Sequence, residues 1–309
     1  MTAPDRTELK EVIAGLSSHP PRISPRYFYD GEGSRLFDQI TRTDEYYVTR
    51  TELAILRERG GRVAARVPAG SAFIELGTGS AHKAIELLRY LEAPQVYRPI
   101  DISREALERT TQAVRAAYPR LEVSAYWGDF AADAAYAGLP EGAARLVYYS
   151  GSTIGNFEPA EAVSFLRSLH QRLRRGDILL LAADLVKDAD VIHAAYNDRA
   201  GVTAAFNRNA LSSLNQRFGA NFDPAVFRHL AFYNARKRRV EMHLVPERRT
   251  EVVIAGEQLC FHPDEPIHTE SSYKFTPDDL QRLATQSGFT VDELVTDERA
   301  WFAEAVLRV

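Results

Sequence analysis

The chain contains 309 residues, of which 45% are hydrophobic and 26% are charged, as in globular proteins and unlike disordered or fibrous ones. Its 38 basic and 42 acidic residues leave a net charge of −4, which indicates no strongly basic surface for nucleic acid or anionic lipid. The one cysteine, Cys260, excludes an intramolecular disulfide and a cysteine zinc cluster. We expect Cys260 to be buried as a small hydrophobic residue.

The chain carries no apolar run of about 18 residues, so no transmembrane helix is predicted. Its first residues, Met1 to Glu8, are polar and lack the apolar stretch of an export signal. The eight histidines show no metal-binding spacing such as H-x-x-x-H. No heptad pattern for a coiled coil is present. We therefore expect a cytoplasmic monomer that holds no metal and binds neither nucleic acid nor membrane.

The first 60 residues are predicted to be largely helical, with an irregular stretch rich in proline and glycine over Ser18–Gly33. Helices are predicted over Asp5–Leu16, from Ser34 onward, and from a cap at Thr49 or Thr51 to about Val67.

From residue 72 onward, short apolar runs alternate with amphipathic stretches. Strands are predicted over Ala72–Leu76, Val96–Ile102, Leu121–Tyr126, Leu146–Ser150 and Ile178–Ala183. Helices are predicted over about 81–92, 103–117 and 159–174. This alternation is typical of βα units, and it predicts a parallel sheet with helices on both faces.

The alternation ends near Asp184. Helices are predicted over roughly 187–197 and 199–217, followed by strands over Val226–Asn234, Arg239–Leu244, Glu251–Cys260 and His268–Phe275. These connections are too short for crossover helices, so we expect antiparallel pairing. The chain then returns to a helix capped by Thr276 and to a hairpin formed by Thr290–Val295 and Trp301–Val309.

The predicted architecture is therefore α/β, with a doubly wound, Rossmann-like domain formed by residues 51–185 and 276–309. A second, α+β domain is predicted from the N-terminal segment 1–50 and the inserted segment 186–275. Ligands of doubly wound sheets bind at the carboxyl ends of the strands.

A glycine turn, Gly77-Thr-Gly79, follows the first predicted strand of the sheet. The position of the third glycine of a dinucleotide fingerprint is occupied by His82, which argues against a pyrophosphate cofactor. Asp101 ends the second strand, where a carboxylate can accept hydrogen bonds from ribose hydroxyls. Asp129 and Phe130 follow the third strand and offer a polar group and an aromatic face to an adenine ring.

This order resembles that of the class I S-adenosylmethionine (SAM)-dependent methyltransferases. The resemblance implies SAM as methyl donor and S-adenosylhomocysteine as product. Ala81 departs from the family, which often has a third glycine there, and Lys83 is placed to meet the cofactor's carboxylate.

Four separated motifs resemble one family in particular, the histidine Nα-methyltransferases of ergothioneine biosynthesis. They are Tyr27–Phe37, Thr43–Glu52, Gly151–Phe157 and Ile267–Phe275. The resemblance runs nearly end to end. It implies three successive methylations of the α-amine of L-histidine, which give N,N,N-trimethylhistidine (hercynine).

The resemblance also implies the roles of individual residues. Tyr46, Asn156 and Tyr196 hold the backbone groups of the amino acid, and Glu270 and Ser272 hold the imidazole. Tyr29 and Gly151 lie near the amine, which makes Tyr29, Tyr46 and Asn156 the candidate catalytic residues. Phe206 and Met242 line the substrate pocket. The cofactor positions are Gly77, Lys83, Asp101, Asp129 and Phe130.

Other interpretations stay open. The chain could methylate another small amine, such as tryptophan, although an indole has no acceptor for a second hydrogen bond. It could also bind SAM without turnover. Glu270 could be a solvated residue of an alternating strand, Met242 a core residue, and Asn156 a helix cap.

Overall fold

The computed structural model describes residues 6–263 and 265–309. The α-helices of this part are α1 (Arg6–Leu16), α2 (Gly31–Ile40), α3 (Val48–Ala64), α4 (Ala81–Leu88), α5 (Arg104–Ala117), α6 (Pro159–Arg172), α7 (Ala189–Ala195), α8 (Val202–Phe218) and α9 (Pro277–Ser287). The strands are β1 (Ala72–Leu76), β2 (Val96–Asp101), β3 (Glu122–Val123), β4 (Tyr126–Trp127), β5 (Arg145–Tyr149), β6 (Ile178–Asp184), β7 (Phe227–Asn234), β8 (Arg239–Pro246), β9 (Thr250–Ile254), β10 (Glu257–Phe261), β11 (Ile267–Tyr273), β12 (Thr290–Thr296) and β13 (Phe302–Arg308). Within these residues, none of the helices has the length and apolar character needed to span a bilayer.

The chain forms two compact units. Unit 1 contains the described residues of Met1–Tyr46 together with Asp188–Ser272, and unit 2 contains Tyr47–Lys187 and Tyr273–Val309. The chain therefore crosses between the units three times. Each crossing lies a few residues from the domain boundary expected from the sequence.

Unit 2 is built on an eight-stranded sheet in the order β12-β13-β6-β5-β1-β2-β3, with β4 also pairing with β2. β1 lies parallel between β2 and β5, and Ala72 is in register with Val96 on one side and Arg145 on the other. The chain winds outward from β1 in both directions, which is the arrangement that opens a crevice at the carboxyl ends of the central strands. The predicted doubly wound α/β sheet is confirmed, and so is the closing antiparallel hairpin β12–β13.

The continuous apolar runs of the sequence become strands that are buried on both faces. Every residue of β1, β2 and β6 is buried. One large core cluster packs Ile74, Val147 and Leu179 of the sheet against Leu166 of α6 and Ala284 of α9. Such central strands provide a rigid base for the polar residues that follow their carboxyl ends.

Two predictions for unit 2 were wrong in detail. The strand expected over Leu121–Tyr126 is split into β3 and β4, each of which pairs separately with β2. The helix α3 begins at Val48, and neither Thr49 nor Thr51 caps it. The Thr51 hydroxyl instead donates to the backbone carbonyl of Tyr47, at 2.9 Å, so it lies inside the first turn.

Unit 1 contains a three-stranded sheet in the order β11-β8-β7 and a separate hairpin, β9–β10. β7 and β8 are antiparallel from the pair Phe227 and Pro246 to the pair Asn234 and Arg239, as the short connections predicted. The helix α8 packs on β7 and β8.

The helices at the start of unit 1 differ from prediction at their first residues. The helix α2 begins at Gly31 rather than at Ser34, because the side chain of Asp30 accepts the backbone N–H of Gly33, at 2.7 Å, and so caps it. Gly33 must be glycine, since a β-carbon there would lie 1.5 Å from the carbonyl oxygen of Phe28. The helix α1 is described from Arg6, and Asp5, its expected first residue, lies outside the described residues.

The strand expected over Glu251–Cys260 is two strands. Ala255 and Gly256 both have positive φ angles, 48° and 91°, and form the tight turn between β9 and β10. Because this hairpin is a separate two-stranded sheet, one of its faces is open to solvent. Cys260 lies on that face and is exposed, so the expectation of a buried cysteine was wrong.

Candidate active site

The glycine turn leaves open space in front of its backbone. Gly77 and Gly79, between β1 and α4, have φ angles of 73° and 48°. Within the described residues, and apart from the chain neighbours of each glycine, no heavy atom lies within 4 Å of the position that a β-carbon would take. The Gly77 N–H donates to the carbonyl of Ile100 at the end of β2, at 2.9 Å, which fixes the turn to the sheet. The turn therefore leaves its backbone open to a ligand, and its assignment to SAM stays a prediction.

Asp101 ties the glycine turn to the end of β2. Its Oδ2 accepts the backbone N–H and the hydroxyl of Thr78, at 2.9 and 3.0 Å, and its Oδ1 accepts the N–H of Ser103, at 2.7 Å. Three of the four lone pairs of the carboxylate are therefore used, and the remaining one, on Oδ1, can accept a ribose hydroxyl. The geometry fits the ribose-binding role implied by the resemblance.

The segment after β4 combines exposed and packed side chains. Trp127 is 63% exposed, and its indole N–H donates to the carbonyl of Ile102, at 3.1 Å. Asp129 is exposed and accepts the N–H of Ala131, at 2.8 Å. The ring of Phe130 packs against Tyr149 with 5.6 Å between centroids. Phe130 is therefore anchored in the core of unit 2, while Asp129 stays accessible.

Lys83 lies in a buried polar cluster rather than in solvent. Its ammonium donates to Glu52 of α3, at 3.0 Å, and to the hydroxyl of Ser150 after β5, at 2.9 Å. The other oxygen of Glu52 accepts the Tyr148 hydroxyl, at 2.7 Å, and the N–H of Gly151, at 2.8 Å. Glu52 therefore holds a predicted cofactor residue and a predicted substrate residue at once.

Sequence reasoning missed Glu52. The residue closes one of the four motifs that carry the family resemblance, but nothing in a linear pattern connects it with Lys83. Its side chain is fully buried, and so are Glu75 and Glu304. Its burial beside two other buried carboxyl groups, which only the structure reveals, identifies Glu52 as a residue of the site.

Burial disfavours the ionised forms of Glu75 and Glu304. Burial raises the pKa of Glu75 to about 8, although a hydrogen bond from the Tyr97 hydroxyl partly offsets this. Burial, and then the neighbouring Glu52, raise the pKa of Glu304 well above its usual range. Beside these two acids, Lys83 and Glu52 form a buried ion pair.

The loop after β5 holds Gly151 and Asn156. Gly151 and Ser152 both adopt left-handed backbone angles, with φ of 72° and 59°. A β-carbon at Gly155 would lie 2.8 Å from the carbonyl oxygen of Tyr273, so only glycine fits there. Asn156 ends a short 3-10 helix and does not cap α6, whose cap is Glu158. The helix-cap interpretation of Asn156 was therefore wrong.

In unit 1, the structure brings Tyr196 and Ser272 together. The Tyr196 hydroxyl, just after α7, donates to the Ser272 hydroxyl on β11, at 2.8 Å. Ser272 and Glu270 are two residues apart on β11, and each is less than a tenth exposed. The interpretation of Glu270 as a solvated strand residue is excluded by this burial.

An aromatic cluster in unit 1 connects three predicted residues. The ring centroid of Phe206 on α8 lies 5.7 Å from that of Tyr29. The ring centroid of Phe37 lies 5.9 Å from that of Tyr29 and 6.1 Å from that of Tyr46. Phe37 joins the two tyrosines, a role that its place on a predicted helix did not indicate. Met242 is 2% exposed on β8, opposite Ala231 of β7.

Asn207, the neighbour of Phe206, fastens α8 to the sheet of unit 1. Its amide nitrogen contacts His229 of β7, at 2.8 Å, and donates to the carbonyl of His243 on β8, at 3.0 Å. Its oxygen accepts the hydroxyl of Thr269 on β11, at 2.7 Å. This residue, which sequence reasoning also missed, supports the strands that carry Met242 and Glu270.

The predicted site residues divide between the two units. Unit 2 holds the five cofactor positions, together with Gly151 and Asn156. Unit 1 holds Tyr29, Tyr46, Tyr196, Phe206, Met242, Glu270 and Ser272. Among the described residues, no group of histidine, cysteine or acidic side chains is arranged to hold a metal ion.

Comparison with known proteins adds a family to this geometry. Residues 8–309 match the model of a family described as histidine-specific methyltransferase, SAM-dependent. The chain is 40% identical to the histidine N-alpha-methyltransferase of Mycolicibacterium smegmatis, over 93% of this chain and 90% of that protein. It is 38% identical to the enzyme of the same name from Mycobacterium tuberculosis, over 95% and 92%. The ergothioneine biosynthesis protein 1 of Neurospora crassa is 30% identical over 87% of this chain and 31% of its own length.

Proposed function

The chain belongs to the SAM-dependent, histidine-specific methyltransferases, and we propose that it methylates the α-amine of L-histidine three times to give N,N,N-trimethylhistidine (hercynine) for ergothioneine biosynthesis. The observation that carries this proposal is the match over residues 8–309, which includes both units and all four motifs. Relatives named histidine N-alpha-methyltransferase and ergothioneine biosynthesis protein 1 support the amine as acceptor and the pathway.

Residues of unit 2 are proposed to hold the cofactor. The open backbone at Gly77 allows SAM to approach the glycine turn closely. The Asp101 carboxylate at the end of β2 suits the ribose of SAM, and the Lys83 ammonium suits its carboxylate. Asp129 and Phe130 are proposed to contact the adenine. When bound, SAM supplies an electrophilic methyl group, so the protein needs no covalent nucleophile of its own.

Residues of unit 1 are proposed to select histidine by its side chain. The buried carboxylate of Glu270 can accept an imidazole N–H, and the hydroxyl of Ser272 can serve the other ring nitrogen. The Tyr196 hydroxyl donates to the Ser272 hydroxyl, and a serine hydroxyl can both accept and donate hydrogen bonds. Phe206 and Met242 are proposed to bound this pocket, and their burial supports that role.

The backbone groups of the amino acid are proposed to be held by Tyr46, Asn156 and Tyr196, with Tyr29 and Gly151 near the amine. These groups bind a carboxylate and an amine without a strong fixed charge. The α-amine must lose its proton before it can attack, because only the neutral amine has a free lone pair to accept the methyl group. The trimethylated product is a fixed cation, and tyrosine rings are suitable partners for it.

The experiment that tests this proposal is calorimetry of the standard amino acids with the protein saturated by S-adenosylhomocysteine. L-Histidine should bind, and tryptophan and phenylalanine should bind far more weakly, because neither offers both the hydrogen-bond donor and the acceptor of an imidazole to Glu270 and Ser272. Equal affinity for histidine and phenylalanine would refute the proposed selectivity.

We also propose that the enzyme is a cytoplasmic monomer. The lack of a heptad pattern supports the monomer. Light scattering coupled to size exclusion, with the cofactor product present and absent, measures the mass directly. A dimer mass in both conditions would contradict the proposal.

A further inference from the structure

Asp184, the last residue of β6, gathers three side chains around one fully buried carboxylate. Its Oδ2 accepts the Tyr47 hydroxyl, at 2.8 Å, and the ammonium of Lys274, at 2.8 Å. Its Oδ1 accepts the ammonium of Lys187. The side chains of the two lysines are only 3% and 1% exposed, so this is a buried ionic cluster and not a surface salt bridge.

The three partners of Asp184 stand at the three places where the chain passes between its units. Tyr47 is the first residue of unit 2 after the first crossing, and Lys187 is the last before the second. Lys274 is the second residue after the third crossing. All four residues of the cluster belong to unit 2. One carboxylate therefore fixes the end of unit 2 at every crossing.

The same residue also holds the loop that follows β5. The backbone N–H of Asp184 donates to the hydroxyl of Ser152, at 2.9 Å. Ser152 has a left-handed backbone with φ of 59°, an unfavourable conformation for serine that surrounding contacts must maintain. Its neighbour Gly151 and nearby Asn156 are predicted substrate residues.

Attraction between opposite charges stabilises the cluster. Burial opposes ionisation of Asp184, but the ammonium groups of Lys274 and Lys187 outweigh it and hold the pKa of Asp184 below its usual range. Lys187 also donates to the Tyr47 hydroxyl, at 2.8 Å, and its Nζ lies 4.3 Å from the centre of the tyrosine ring. Each member therefore binds at least one other member.

A buried ionic cluster rarely adds stability over well-packed apolar residues of the same volume. Its distinctive effect is to specify one arrangement, because partly made polar networks are costly. At Asp184, Tyr47 and Ser152 are the sequence neighbours of Tyr46 and Gly151, and Lys274 is two residues from Ser272. Tyr46, Gly151 and Ser272 are among the residues to which the proposed function assigns the amino-acid substrate.

We propose that Asp184 is a positioning residue for the amino-acid substrate, acting through Tyr47, Ser152, Lys187 and Lys274. This inference rests on the proposed function. Asp184 does not contact substrate in this account. It sets the backbone from which the substrate-binding residues project.

The test is steady-state kinetics of Tyr47→Phe, which removes one hydroxyl from the cluster and keeps the ring beneath Lys187. The KM for L-histidine should rise about tenfold, the effect of losing one hydrogen bond to a charged group. The dissociation constant of S-adenosylhomocysteine should stay within about twofold, since the cofactor positions Gly77 and Asp101 follow β1 and β2, and β5 separates these strands from β6, which ends at Asp184. Tyr118→Phe is the matched control, because it removes the Tyr118 hydrogen bond to the Ile85 carbonyl elsewhere in unit 2 and should leave the KM unchanged.

A second pair of variants separates positioning from folding. Lys274→Met should raise the KM for L-histidine as Tyr47→Phe does, and Lys274→Arg should restore most of the loss, because it keeps the cation beside Asp184. Lower melting temperatures with an unchanged KM in both Tyr47→Phe and Lys274→Met would overturn the inference. Wild-type protein that transfers no methyl group to histidine would instead overturn the proposed function, and the inference with it.

Discussion

Glu52→Gln is the substitution that most directly probes the polar cluster beneath the candidate active site. The wild-type carboxylate is fully buried and accepts from Lys83, Tyr148 and Gly151, at 3.0, 2.7 and 2.8 Å. The amide oxygen of glutamine can still accept the Tyr148 hydroxyl and the Gly151 N–H. Its NH₂ group then faces the Lys83 ammonium, and both groups are donors.

The expected loss follows from leaving that ammonium buried and unpaired. Removing one partner of a buried ion pair costs about 3–5 kcal/mol, and the Ser150 hydroxyl that remains beside Lys83 offsets only part of this. We therefore expect Glu52→Gln to lower the free energy of unfolding by about 3 kcal/mol at neutral pH.

Urea unfolding followed by fluorescence measures this loss. Glu58→Gln is the matched control, since Glu58 is exposed on the same helix, α3, and its replacement should change stability by less than about 0.5 kcal/mol. A loss below about 1 kcal/mol in Glu52→Gln, with the slope of the urea dependence unchanged, would refute the reasoning. It would mean that the Lys83 ammonium does not depend on Glu52.

Three further predictions concern single groups of the site. Because burial raises the pKa of Glu75 to about 8 from a usual 4.5, the folded protein opposes ionisation of this carboxyl. Between pH 4.5 and pH 8, wild type should therefore lose about 1.4 kcal/mol of unfolding free energy per pH unit relative to Glu75→Gln. A stability difference between the two proteins that does not change with pH in denaturant titrations would refute this. Asp101→Asn should weaken S-adenosylhomocysteine binding by about 1.5–3 kcal/mol in calorimetry, whereas an unchanged dissociation constant would place the ribose elsewhere. Glu270→Ala should weaken L-histidine binding by about 2–4 kcal/mol. The double variant Glu270→Ala with Met242→Val should shift the ratio of the histidine and tryptophan dissociation constants in favour of tryptophan. An unchanged ratio would show that Glu270 is not the partner of the imidazole.

Much of the fold was predictable because its signals are local. The apolar run Ala72–Leu76 is the whole of β1, and Thr276 caps α9 as its sequence indicated. The errors arose where a local signal was weak or ambiguous. Ala255 is an unusual residue for a left-handed turn, so the break between β9 and β10 was not visible. Burial of Cys260 was inferred from residue type alone, which says nothing about the open face of a hairpin.

The supporting residues of the site were not predictable, because their partners are distant in the sequence. Glu52 meets Lys83, Tyr148 and Gly151 only after α3 has packed beside the sheet. Asp184 is likewise joined to Tyr47 and Lys274 from segments far away along the chain. A linear motif identifies residues that a ligand requires. It does not identify the groups that hold those residues in place.

The central claim is methyl transfer to the α-amine of L-histidine, and product analysis by mass spectrometry and NMR tests it most directly. Purified protein would be incubated with SAM and L-histidine, and the products separated at early and late times. We expect mono- and dimethylated species that give way to N,N,N-trimethylhistidine, with every methyl group on the α-nitrogen. Methyl groups on the imidazole nitrogens, or no transfer to histidine while another amine is methylated, would contradict it.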